Sequence, residues 1–119
     1  MLKRTLSTAL LSVLLLASCA MHVHPGSVNR ADSAAYDVLL ISQAVIDQAR
    51  VELGAGTLPD TLRPGLQRLV ESYNTARTSW LTYRNAVLVG QAVDAGGMNR
   101  AITALSAALD AFQRSRPIS

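Results

Sequence analysis

The sequence predicts an all-α chain, an antiparallel three-helix bundle with a long central helix, preceded by a signal peptide and a short tether. Three observations carry that expectation. Apolar residues recur at helical spacing through three separate stretches, with glycine-rich breaks between them. No stretch alternates apolar and polar residues as a half-buried strand would. Residues 1–20 follow a different pattern, basic, then apolar, then small. At 119 residues the chain has room for one domain. The expected divisions are 1–18 as signal, 19–30 as a modified cysteine and tether, and 31–116 as the bundle.

Met1-Leu2-Lys3-Arg4 is a short basic start, and Thr5 to Leu16 is apolar with small hydroxyls inside it. That run is about a dozen residues, short of the roughly 20 a membrane-crossing helix needs. A basic start, short apolar middle and small-residue end describe an export signal; a retained transmembrane anchor is the rival reading. Ser18-Cys19-Ala20 would serve an ordinary signal peptidase. Leu16-Ala17-Ser18-Cys19 instead resembles the lipobox of bacterial lipoproteins, with its aliphatic residue, two small residues and cysteine at the end of the apolar run. The resemblance implies cleavage before Cys19, a diacylglycerol on its thiol and an acyl group on its new amine. Three chains would hold the protein in a bilayer, since two already anchor firmly. Ala20 follows, where an aspartate would resemble an inner-membrane retention signal. The implied location is the bacterial cell envelope, the outer membrane facing the periplasm, or the plasma membrane in a Gram-positive cell.

Processing would remove Lys3, the only lysine, and Arg4. Nine arginines then face eight acids, so the computed basicity of the whole chain does not imply nucleic-acid binding. Cys19 is the only cysteine, which excludes an intramolecular disulfide.

Met21 to Asn29, with Pro25-Gly26 at its centre, reads as a tether reaching about 30 Å at most. The first helix is expected to start near Asp32 or Ser33, either able to cap it, with Asp37 adding negative charge nearby. Val38, Ile41, Val45 and Ala49 form its apolar stripe, widened by Leu39, Ile46 and Leu53, and Gly54-Ala55-Gly56 stops it. The second helix starts either near Pro59 or around Arg63, because Pro64 would obstruct a helix already under way. Leu66, Leu69, Tyr73, Ala76, Trp80, Tyr83 and Val87 then repeat at alternating spacings of 3 and 4, a heptad seam that continues to Gly90 in a helix expected to run to about Val93. Asp94-Ala95-Gly96-Gly97 is the expected turn. Met98, Ile102, Leu105, Leu109 and Phe112 form the third stripe, which frays before Pro117. Much of the apolar content is alanine, so the core is thin and self-association would bury more surface.

His24 to Leu40, "HPGSVNRADSAAYDVLL", and the later "YNTARTSWLTY" resemble stretches in small uncharacterised helical proteins of bacteria. That resemblance supports a helical fold and carries no information on activity.

Assembled chemistry is sparse. His22 and His24 offer two nitrogens, where a metal site needs three or four ligands, so no metal and no cofactor are expected and a weak metal-binding tether is the minor alternative. Nucleophilic catalysis needs a positioned base, and both histidines lie in the tether, so the chain is not expected to be an enzyme. Asp47 with Glu52, or Glu71 with Asp94, are carboxylate pairs that fit a solvated face equally well. Tyr73, Trp80 and Tyr83 read first as core with their polar atoms at the bundle edge, and secondly as an aromatic groove for a ligand or partner helix. Arg63, Arg77 and Arg84 fall along one edge of the seam, with Val70 interrupting the series. They would pair with Asp37, Asp47 or Asp110, or face an anionic partner such as lipid phosphate. The expected role is binding or scaffolding beside an envelope protein, with no nucleic-acid partner.

Overall fold

The computed structural model describes residues 26–116. The signal region 1–18, Cys19, His22, His24 and Pro117 lie outside the described residues. Helix α1 spans Arg30–Ala55, a 3-10 turn follows at Asp60–Leu62, and α2 (Arg63–Leu88) and α3 (Gly96–Ser115) complete the fold. Among the described residues there is no strand, and the three helices all touch one another.

Helix α1 starts before Asp32 and Ser33, because Asn29 caps it. Its side-chain oxygen accepts from the Asp32 amide at 2.9 Å, and the Asp32 carboxylate reaches back to the Val28 amide at 2.8 Å. Two donors are thereby satisfied by a reciprocal capping arrangement, and Asp32 becomes the third residue of the first turn instead of its cap. At the far end Gly56 takes φ 74°, with Thr57 N donating to Glu52 O at 2.9 Å and Gly56 N to Leu53 O at 3.2 Å. This left-handed closure is open to glycine at no steric cost.

The connection to α2 combines both expected starts. Pro59 precedes the 3-10 turn, and the α-helix proper begins at Arg63 with Pro64 in its first turn, where no amide hydrogen is needed. Helix α2 then ends at Leu88, five residues short of the expected Val93. Gly90 adopts φ 76°, and Gln91 N donates to Ala86 O at 2.9 Å while Gly90 N donates to Val87 O at 3.1 Å. The same closure that stops α1 outweighs the apolar run beyond it. Gly96 and Gly97, expected in the turn, belong instead to the first turn of α3, where the Asp94 carboxylate accepts from Gly96 N at 3.1 Å.

The pairing of ends follows from individual contacts. Asn29 on the α1 side meets Tyr83 of α2, and Gln43 meets Tyr73, so α1 and α2 run in opposite directions. Gly65, at the start of α2, lies against Phe112 near the end of α3. Most buried apolar residues form one cluster that includes Leu39, Ile46, Leu62, Leu66, Leu69, Leu105 and Phe112. Ala35, Tyr83 and Met98 form a smaller one at the other end, and Trp80 and Ile102 pack against both. The α2 seam is present as expected, with Leu66, Leu69, Ala76 and Tyr83 buried and Tyr73, Trp80 and Val87 half-buried.

The face of α1 is rotated from the expected one. Leu39, Ser42, Ile46 and Ala49 are buried, whereas Ile41 is 55% exposed and Val38 and Val45 are half-buried. This helix is apolar around most of its circumference, so periodicity alone did not fix its orientation. The buried face of α1 also carries the small residues Ala35, Ser42 and Ala49, and Ala76 is buried on α2.

Candidate functional site

The densest polar arrangement among the described residues lies where the chain enters the bundle. Asp32 is 1% exposed. One carboxylate oxygen accepts from Trp80 Nε1 of α2, and the other accepts from the Val28 amide. Arg84 Nε lies 3.3 Å from the latter oxygen, an ion pair whose N–H is not aligned for a hydrogen bond. Arg84 Nη2 donates to the Gly26 carbonyl at 2.6 Å, and its guanidinium sits 5.7 Å from the Trp80 ring centroid. Tyr36 packs against that ring at 6.0 Å in a tilted arrangement. Beside it Asn29 Nδ2 donates to the Tyr83 hydroxyl at 2.7 Å. A buried carboxylate is costly unless paired and hydrogen-bonded, and this one has both an ion-pair partner and two donors. The cluster fastens the segment Gly26–Asn29 to the end of α2.

These contacts place the aromatic candidates. Trp80 and Tyr83 are packed with their polar atoms bonded to Asp32 and Asn29. Tyr73 lies further along α2, where its hydroxyl donates to Gln43 at 3.4 Å. It lines a small cleft of about 130 Å³ with Ile46, Asp47, Arg50 and Asn74. The three rings are therefore not gathered around one shared opening. A larger cleft, about 230 Å³, opens at the other end of the bundle, between Pro64, Gly65 and Arg68 of α2 and Ala108, Phe112 and Ser115 of α3.

The arginine edge is also redistributed. Arg63 pairs locally with Asp60 at 3.2 Å, Arg84 pairs with Asp32, Asp110 takes Arg114 at 3.1 Å, and Arg77 is exposed. The exposed pairs contribute about 0–1 kcal/mol each. Of the carboxylate candidates, Glu52 is held by Arg116, which also lies over the Phe112 ring at 5.4 Å. Glu71 accepts from Gln67 at 3.2 Å, and Asp94 serves the start of α3. Each of these three is drawn to a donor. Among the described residues no group of three His, Cys, Asp or Glu is placed to hold a metal ion.

Sequence reasoning placed Asp32 at the start of α1 but missed its burial and its partners. The spacing Asn29-x-x-Asp32 was the available signal, since it is a capping-box pattern with aspartate in the third helical position. Arg84 and Trp80 were visible as residues but not as its partners, which lie about fifty positions away in the chain. No protein-family model matches this chain, and neither a curated protein nor a solved structure matches it.

Proposed function

We propose that the protein is a bacterial envelope lipoprotein, exported by residues 1–18 and anchored through acyl chains on Cys19, with a non-enzymatic binding or scaffolding role. The observation that carries this reading is the position of Leu16-Ala17-Ser18-Cys19 at the end of a basic-then-apolar leader. The fold is consistent with it. The bundle begins at Arg30, and no described helix is long and apolar enough to cross a membrane. An outer-membrane location facing the periplasm follows from Ala20 by analogy, or the plasma membrane in a Gram-positive cell. Asp32, Trp80, Asn29, Tyr83 and Glu52 are each engaged in holding the fold, which favours a scaffold over a reaction centre.

Self-association belongs to the same reading. Leu40, Ile41 and Val51 are exposed along α1, and the core inside is built largely from alanine and leucine.

Metabolic labelling with a palmitate analogue tests the anchor. The wild-type chain is expected to take the label and Cys19→Ser to lose it; equal labelling of both removes the proposal.

A further inference from the structure

We infer that the loop joining α2 to α3 is a second membrane contact, seated in the phospholipid bilayer that holds the Cys19 anchor. The inference rests on the lipoprotein reading and adds an orientation to it. Leu88 is 63% exposed, Val89 71% and Val93 40%, and Ala92 between them is also exposed. These are not the side chains a water-facing turn ordinarily displays. The turn holding the first of them is firmly bonded: Val89 N donates to Asn85 O at 3.1 Å, and Gly90 and Gln91 close the helix as described.

What covers this patch follows from where the chain enters the bundle. Gly26 is bonded by Arg84, one helical turn before Leu88, and Asn29 is bonded by Tyr83. The entry point and the apolar loop therefore share one end of the bundle. From Cys19 to Gly26 the backbone reaches about 25 Å at full extension. An anchor on Cys19 thus keeps this end close to the lipid surface, with Leu88, Val89 and Val93 within reach of the acyl boundary. Arg30 and Arg100 are exposed in the opening turns of α1 and α3, at the same end, and supply cations for lipid phosphate. The occupant is therefore a bilayer rather than a protein.

The test uses the full chain purified from membranes and reconstituted into phosphatidylethanolamine–phosphatidylglycerol vesicles carrying spin-labelled phospholipid. Trp80 supplies the baseline emission, Leu88→Trp reports on the loop, and Val51→Trp reports on an exposed site towards the other end of α1. Expected is a blue-shifted added emission that the lipid label quenches for Leu88→Trp, with the added emission of Val51→Trp unquenched. If both are quenched alike, or if Leu88→Trp stays unquenched in acylated, vesicle-bound protein, the loop contact is overturned while the anchor stands. The second outcome would mean that the loop faces water, another protein or a second copy. If the intact mass shows no acyl chains, the anchor reading fails, and the orientation built on it fails too.

Discussion

The two ends of this bundle are held by different forces. At the entry end a buried carboxylate, an indole, a guanidinium and two backbone groups join Gly26, α1 and α2 through directional bonds. At the opposite end Leu58, Leu62, Leu66 and Phe112 meet through apolar contact, and Glu52 and Arg116 close the rim. Apolar contact stabilises many registers almost equally, whereas a buried charge tolerates only those that satisfy it. Helix α1 shows why that matters. Its apolar circumference leaves the rotation underdetermined, and Asp32 on its first turn accepts only an orientation that brings Trp80 and Arg84 within reach.

The contrast can be broken from either side. The largest effect is expected for Phe112→Ala, which empties the centre of the apolar end and should cost about 3–5 kcal/mol in urea unfolding followed by helical circular dichroism. Arg84→Met should cost about 3 kcal/mol by the same measurement, because it leaves the Asp32 carboxylate buried without its cation. It should also free the segment at Gly26, read as faster amide exchange at Ser27 and Val28. Replacing Asp32 and Arg84 together by apolar residues should cost less than the two single losses added, since no unpaired charge remains.

Smaller changes sharpen the same picture. Asn29→Ala removes the cap of α1 and its bond to Tyr83, and should lower stability by about 1 kcal/mol. Gly65→Ala should raise it by about 0.5–1 kcal/mol. Alanine favours the helix, and the added carbon would meet Phe112 Cδ2 at 3.5 Å, an ordinary contact. A destabilised Gly65→Ala would show that the apolar end has no room to adjust.

Much of this fold was legible in the sequence, and what was not has physical reasons. The α2 seam could be read because Leu66, Leu69 and Ala76 alternate with polar neighbours. The α3 stripe could be read for the same reason, with Met98, Leu105 and Phe112 buried at heptad intervals. Ile41 was misplaced because its helix has apolar residues on nearly every side. The end of α2 was overestimated because Ala92 and Val93 extend the apolar pattern past Gly90, and only the backbone closure shows that the helix has stopped. The Asp32 cluster needed tertiary information, because its partners come from two elements. The lipobox is the reverse case, a reading made entirely from local sequence that lies outside the described residues.

The most direct measurement is the intact mass of the mature protein purified from membranes. A chain that starts at Cys19 and carries the added mass of its acyl groups is the result this account requires. A chain that starts at Met21, or keeps residues 1–18 without acylation, contradicts it.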